Sequence, residues 1–193
     1  MRPYSTHTLA IDREAAFAHG PSEALALVEL ETYPPFVGEQ ADHLDLMAHL
    51  ANQMQALTAF AWDAPGSTFS LRLVLTEDDQ VVQRMARFPH DVTAAGWVRS
   101  YGRLCLTSYG RLADCAHDRA LDLLHAGDEA RNVRPRVLKV PPGTYRVLVL
   151  HDIPLMEVRP RAAPSYTVLL RHYPFPPPRL LPVRLPALIP WAA

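Results

Sequence analysis

Residues 68–76 read TFSLRLVLT, and this stretch decides the class of fold. Apolar side chains stand at every second position, namely Phe69, Leu71, Leu73 and Leu75. Polar side chains fill most of the positions between and around them, namely Thr68, Ser70, Arg72 and Thr76. Because successive side chains of a strand point to opposite faces, this alternation predicts a β-strand with one face in the core.

Other segments predict further strands. They are residues 6–11, 24–30, 137–140, 144–150 and 166–172. Residues 144–150 are apolar on nearly both faces, which indicates a central strand. The sequence therefore predicts a mainly β fold that is antiparallel and β-sandwich-like, with an α+β fold as the alternative.

One segment follows the period of a helix instead. Between residues 39 and 60 the apolar positions recur at intervals of three and four, namely Leu44, Met47, Leu50, Ala51, Met54 and Leu57. This pattern predicts one long amphipathic helix that packs on the sheet. Residues 114–130, which include Gly127, predict a short helical excursion.

The pentapeptide SYGRL occurs twice, at residues 100–104 and 108–112. In one extended strand this spacing of eight places Tyr101 and Tyr109 on the same face, whereas a hairpin places the two copies on neighbouring strands. Both interpretations predict that the repeat lies in a sheet.

Length and composition indicate a single domain. The chain has 193 residues, of which 49% are hydrophobic and 20% charged, so it can bury a sizeable core. We assign residues 1–175 to one strand-rich domain. No run approaches the roughly 18 apolar residues of a membrane helix, and the N-terminal residues lack a signal-peptide pattern. We therefore expect a cytoplasmic protein without a membrane partner.

Residues 176–193 are rich in proline and predict a C-terminal arm. Pro178, Pro182, Pro186 and Pro190 recur every four residues with apolar residues between them. Because proline lacks a backbone donor, the arm is expected to be neither helix nor central strand. It either lies along its own domain or reaches into a second subunit to build a homodimer or larger assembly.

Charge is divided unevenly along the chain. Residues 1–96 carry 5 basic and 13 acidic residues, whereas residues 97–193 carry 14 basic and 7 acidic residues. Either the opposite charges of the two halves cancel each other across one sheet, or the first half leaves an acidic face for a basic partner. Nearly all basic residues are arginine, which we attribute to genome composition, and nucleic-acid binding is not favoured.

Five acidic residues are candidates for contact with such a partner. They are Asp42, Asp45, Glu77, Asp78 and Asp79, at the start of the predicted helix and at a predicted turn. Solvation and the helix dipole also favour acids at these positions, so both explanations stay open.

Patterns for catalysis and metal binding are absent from the sequence. There is no HExxH, Gly-x-Ser-x-Gly, SxxK, GxGxxG or Walker sequence. Possible ligands stand at spacings that match no standard metal site, namely Cys105, Cys115, His117 and His125, as well as His43 and His49. We expect the two cysteines to be unlinked buried thiols. The sequence thus predicts no metal, no cofactor and no catalytic residue, and it favours a protein that is not an enzyme.

The order of four motifs along the chain resembles that of a known family. The motifs are AFAWDAPGSTFS at residues 59–70, FPHDVT at 88–93, VLKVPPGTYRV at 137–147 and YTVLL at 166–170. Together they resemble the competence protein J family, over about half of the chain. The resemblance implies a small bacterial β-sandwich-like protein of the inhibitor or immunity type, since one member inhibits a DNA-entry nuclease. The chain departs from the family in its longer helix, in residues 107–136 and in the arm, and no family contact residue maps onto it.

The sequence leaves three candidate functions. The first is a non-catalytic inhibitor or immunity-type module that neutralises a nuclease or toxin by surface recognition. The second is an enzyme or a small-ligand-binding protein. Its site would combine residues of the repeat segment, namely Tyr101, Arg103, Tyr109 and Arg111 with Cys105, Cys115 or His117. The third is a structural homo-oligomer assembled through the arm.

Overall fold

A computed structural model describes residues 5–11, 24–39, 42–63, 69–87, 90–114, 136–152 and 165–174. The strands in these residues are β1 (Ser5–Ile11), β2 (Ala24–Glu29), β3 (Ala59–Asp63), β4 (Phe69–Thr76), β5 (His90–Ser100), β6 (Arg103–Ser108), β7 (Arg136–Lys139), β8 (Gly143–Asp152) and β9 (Ser165–Tyr173). The helices are α1 (His43–Gln55), α2 (Asp79–Met85) and α3 (Tyr109–Asp114). The predicted excursion beyond residue 114 and the arm at 176–193 lie outside the described residues.

The strands form two sheets. A five-stranded sheet has the order β1-β4-β9-β8-β5, and a four-stranded sheet has the order β3-β2-β6-β7. The predictions of a predominantly β chain and of a central strand at 144–150 are confirmed. The antiparallel prediction is wrong for one pair, since β4 and β9 run parallel with Leu73 opposite Val168. The long stretch between these two strands gives the chain room for the crossover that parallel pairing needs.

Both sheets contribute to one apolar core. Leu27 and Phe60 of the four-stranded sheet belong to it together with Val98, Val147 and Val168 of the five-stranded sheet. Strand β5 packs against β2 and β3, which brings the two sheets into contact. Burial of this shared surface is the main favourable term in folding.

Helices cover other parts of the sheets. Helix α1 packs on β3, helix α3 packs on β2 and β6, and helix α2 packs on β4 and β9. Under α2 lies a second, smaller cluster that includes Val74, Val82 and Leu169. Strand β4 therefore buries both of its faces, Leu73 in the main core and Val74 under α2, although the alternation in its sequence predicts only one core face.

Helix α1 is much shorter than the sequence predicts. It begins after Asp42 and ends at Gln55, and the chain then reverses through Leu57, whose φ of 63° is left-handed. Glycine is the usual residue at such a helix end, so the sequence carries no stop signal here. The hydroxyl of Thr58 donates to the backbone oxygen of Gln53 and holds the reversal in place. The residues from 59 onward then enter β3.

The two SYGRL copies adopt different structures, so both interpretations of the repeat are wrong. In the first copy Ser100 ends β5, and Tyr101 and Gly102 form the link to β6. In the second copy Ser108 ends β6 and Tyr109 begins α3. Tertiary surroundings, rather than the pentapeptide itself, decide the conformation.

Gly96 lies against the ring of Phe60 where the two sheets face each other. A Cβ atom built at this position would overlap the ring of Phe60, which is itself buried. Overpacking a rigid core is destabilising because the neighbouring side chains must leave their preferred rotamers.

We expect Gly96→Ala to lower the free energy of unfolding by about 1–3 kcal/mol, measured by urea denaturation. The exposed Ala95 on the same strand provides the control, since Ala95→Ser should leave stability unchanged. Adding Phe60→Leu to Gly96→Ala should recover part of the loss by making room for the new methyl group. If the losses of stability of the two single variants simply add in the double variant, this explanation is contradicted.

Glu29 is a fully buried carboxylate at the end of β2. Its Oε2 accepts hydrogen bonds from the backbone N–H groups of Glu31 and Thr32 and from the Thr32 hydroxyl, at 2.9, 2.7 and 2.8 Å. Its Oε1 accepts a weaker bond of 3.4 Å from the backbone N–H of Tyr101. The carboxylate thus satisfies donors of the turn after β2 and of the link between β5 and β6.

Glu29→Gln should destabilise the fold by about 1–3 kcal/mol in the same denaturation measurement. The amide keeps the shape of the carboxylate but turns an N–H group toward donors that need an acceptor. Glu31→Gln is the matched control, because Glu31 is exposed and its ion pair with Arg103 contributes little. Equal losses for the two variants would contradict the role of Glu29.

Candidate binding surfaces

The structure places two of the five predicted contact residues at the start of α1. Asp42 is the N-cap, and its Oδ1 accepts a hydrogen bond of 2.8 Å from the backbone N–H of Asp45. Asp45 lies in the first turn, where the positive end of the helix dipole stabilises a negative charge. Both side chains are exposed. We call Asp42 and Asp45 the α1 acids.

The other three predicted residues, the α2 acids Glu77, Asp78 and Asp79, lie at the start of α2. Asp78 is the N-cap, and its Oδ1 accepts from the backbone N–H of Gln80 at 2.8 Å. Asp79 accepts a hydrogen bond of 2.9 Å from Nε of Arg171, and this bond lowers the pKa of the Asp79 carboxyl. Helix α1 packs on the four-stranded sheet, whereas helix α2 packs on the five-stranded sheet. The α1 acids and the α2 acids therefore belong to helices on different sheets.

Basic and aromatic residues on β5, β8 and β9 lie near the α2 acids. Trp97, Arg146 and Arg171 occupy neighbouring positions across these three strands. The guanidinium of Arg171 lies 4.6 Å from the ring centre of Tyr173, and Arg146 also contributes to the lowered pKa of Asp79. Positive charge from the five-stranded sheet therefore opposes the negative charge of Asp79.

Glu77 is also tied to β9. Its Oε1 lies 3.2 Å from Nδ1 of the buried His172. Sequence reasoning missed these contacts, because residues near position 77 and residues near position 172 come together only through the parallel pairing of β4 with β9.

A small pocket lies beside α1, and its walls come from this helix, from α3 and from the segment after β2. Its walls are Tyr33, Phe36, Leu46, His49, Leu50, Tyr109, Leu112 and Ala113. The ring of His49 makes edge contacts with Tyr33 and Phe36, at 5.6 and 5.7 Å between ring centres. Its Nε2 lies 3.2 Å from the backbone oxygen of Pro34, which fits an N–H donor at that nitrogen.

Burial changes the titration of the pocket residues. It lowers the pKa of His49, so that the imidazole is neutral at pH 7. It also raises the pKa of Tyr33 to about 12, with a smaller contribution from Tyr109. The pocket is therefore uncharged at neutral pH, with the α1 acids in the first turn of the helix that forms one of its walls.

The described part of the chain does not bring the repeat residues into one site. Tyr101 is half exposed and Arg103 pairs with Glu31 at 3.2 Å, whereas Tyr109 lies in the pocket at the opposite end of β6. Cys105 lies between them, and burial raises the pKa of its thiol to about 12. Cys115, His117 and the side chain of Arg111 lie outside the described residues.

Within the described ranges, no three His, Cys, Asp or Glu side chains are grouped as metal ligands. None of the helices described here has the length and apolar character needed to cross a membrane.

Comparisons with known proteins concern the fold alone. No protein-family model matches the chain, and no curated protein matches its sequence. The solved structure described as Crocagin biosynthetic gene J aligns with 89% of this chain and 99% of its own, with a TM-score of 0.51 and 13% identity. This similarity shows a shared fold.

A ComJ structure is also among the structural neighbours. It comes from Bacillus subtilis and is described as an inhibitor of the DNA-degrading activity of NucA. It aligns with 88% of this chain and 96% of its own, with a TM-score of 0.40 and 9% identity. The family resemblance read from the sequence stays a prediction.

The buried thiol provides a test of the second function. In a Cys115→Ser variant, Cys105 should react with a thiol reagent at pH 8 only after unfolding, because roughly one thiol in ten thousand is ionised when the pKa is near 12. The rate is measured in buffer and in denaturant by absorbance. Rapid modification of the folded variant would contradict the burial of Cys105 and would favour a thiol-dependent site.

Proposed function

We propose that this protein is a non-catalytic binding module of the inhibitor or immunity type, related to the competence protein J family, which neutralises a basic nuclease or toxin by surface recognition. The observation that supports this most is the placement of exposed acids at two helix starts. Asp42 and Asp78 each cap a helix that is packed on a sheet, so the acidic side chains stand at fixed positions.

Fixed acids suit the recognition of a basic surface. Side chains that are already ordered lose less conformational entropy when a partner binds. Their field also steers a positively charged partner toward the correct orientation and raises the association rate. The sequence strengthens this field, because it has no Lys or Arg between Arg13 and Arg72.

The two acidic groups contribute unequally in this proposal. Among the α2 acids, Asp79 pairs with Arg171 and is also opposed by Arg146, whereas no described ion pair involves the α1 acids. We therefore assign the larger share of the steering to Asp42 and Asp45. The repeat-based site of the second function receives less support, since its described residues lie at opposite ends of β6.

The decisive experiment joins capture to an activity assay. The tagged full chain is used to capture its partner from the native cell, and the purified partner is then titrated with the untagged chain. We expect loss of nuclease or toxin activity at a stoichiometric ratio. A partner that keeps full activity in the presence of saturating protein would overturn the proposal.

Association kinetics test the electrostatic part. Asp42→Asn with Asp45→Asn should slow association with the captured partner several-fold at low salt, and the difference should shrink near 1 M salt, where the screening length is about 3 Å. Asparagine keeps the N-cap, so the fold is retained. Substituting all three α2 acids by their amides should slow association less. Rates that respond neither to salt nor to these changes would contradict steering.

A further inference from the structure

Two aromatic and two basic side chains share the outer face of the five-stranded sheet. Trp97 of β5 lies opposite Arg146 of β8, which in turn lies opposite Arg171 of β9. Tyr173 follows Arg171 by two positions and therefore points to the same side of the sheet. Val147, next to Arg146 in the chain, points the other way into the main core. We call Trp97, Arg146, Arg171 and Tyr173 the outer-face cluster.

Two hydrogen-bond donors of the outer-face cluster lack an acceptor. In the part of the chain that the structure describes, Nε1 of Trp97 and Nε of Arg146 are shielded from solvent and have no hydrogen-bond partner. Arg171, by contrast, donates to Asp79 and to the backbone oxygen of His172. A shielded donor without an acceptor costs free energy, and water does not reach these two atoms. The acceptor must therefore belong to the group that covers them.

Aromatic surface lies beside these donors. The ring centres of Trp97 and Tyr173 are 5.5 Å apart, with the rings tilted by 54°, and both side chains are partly exposed. Farther along the same face, Leu148 and Leu169 belong to the smaller apolar cluster under α2. The outer-face cluster thus offers ring surface and hydrogen-bond donors side by side.

A run of prolines has the complementary chemistry. Polyproline II backbone makes no internal hydrogen bonds, so its carbonyl groups are free to accept, and proline has no N–H group that would compete. Proline-rich segments accordingly bind to surfaces lined by aromatic rings. In this chain three consecutive prolines occupy residues 176–178, at the start of the arm.

The position of this run favours contact within one chain. Residue 176 follows Tyr173, the last residue of β9, by only three positions. Three residues of polyproline II span roughly 9 Å, which exceeds the 5.5 Å between the two ring centres, so the run is long enough to contact both rings. The short connection also gives the run a high effective concentration at the outer-face cluster.

We propose that residues 176–178 bind the outer-face cluster of their own chain as a polyproline II segment. The proline rings pack against Trp97 and Tyr173, and the backbone carbonyls accept from Nε1 of Trp97 and Nε of Arg146. The arm therefore lies along its own domain rather than in a second subunit. This contact does not depend on the proposed function.

Hydrogen exchange at the Trp97 indole tests the contact on the full chain. The indole signal is followed by NMR spectroscopy and is assigned through its loss in Trp97→Phe. We expect the triple variant Pro176→Ala, Pro177→Ala, Pro178→Ala to exchange this hydrogen about tenfold faster than the unaltered chain. Alanine removes the ring and the preformed conformation of the run.

The matched control replaces three prolines farther along the arm. Pro182→Ala, Pro186→Ala, Pro190→Ala should leave the exchange rate of the Trp97 indole unchanged. Both triple variants alter only residues beyond β9, so both should keep the unfolding midpoint of the unaltered chain.

Trypsin tests the contact from the other side, because Arg179 directly follows the run. Cleavage after Arg179, measured by mass spectrometry, should be about tenfold faster in Tyr173→Leu than in the unaltered chain, since the bound run holds the cleavage site against the sheet. Tyr101→Leu is the control, because Tyr101 is 50% exposed on the link between β5 and β6 and should not affect cleavage.

Three results would overturn the contact. They are equal indole exchange in the unaltered chain and in the variant of residues 176–178, equal cleavage after Arg179 in the unaltered chain and in Tyr173→Leu, and a dimer that dissociates in the variant of residues 176–178. The last result would assign the run to a second copy of the chain. Because none of these measurements involves inhibition of a captured partner, failure of the contact leaves the proposed function standing.

Discussion

A single buried carboxylate contacts one of the links through which the chain passes from one sheet to the other. Glu29 accepts hydrogen bonds from the turn after β2 and from the backbone of Tyr101, which links β5 of one sheet to β6 of the other. The same strand that carries Glu29 then pairs with β6 along its length. Strands β2 and β6 together support α3, and β3 beside them supports α1.

Small residues let the two sheets approach each other, and the candidate binding surfaces depend on that packing. Gly96 gives space to Phe60 between the sheets, and Ala26, Ala61 and Cys105 are all buried in the four-stranded sheet that carries α1 and α3. Residues of α1, α3 and the segment after β2 line a small pocket, and the α1 acids lie at the start of the first of these helices.

The sequence predicted what depends on local periodicity and missed what depends on distant contacts. The strands around Leu73 and Val147 could be read from their alternation or continuous apolar character, because side-chain direction follows directly from strand geometry. The end of α1 could not, since Leu57 adopts a conformation that usually signals itself through glycine.

The candidate binding surfaces also combine features that are local in the sequence with features that depend on distant contacts. Asp42 lies at the start of a predicted helix, whereas Asp78 begins α2 at a place where the sequence predicted only a turn. That these acids contact a partner stays a prediction. The pairing of Asp79 with Arg171 and the pocket wall shared by Phe36, His49 and Leu112 join segments that are far apart in the chain, and no local pattern announces them.

The parallel pairing of β4 with β9 also has a consequence for biosynthesis. Strand β9 lies between β4 and β8, so residues 165–173 must leave the ribosome before the centre of the five-stranded sheet can close. Until then β4 has β1 on one side and an unpaired, apolar edge on the other. Such edges pair readily with other chains, and contacts of long sequence separation form slowly. The nascent protein is therefore open to aggregation until its last described strand is synthesised.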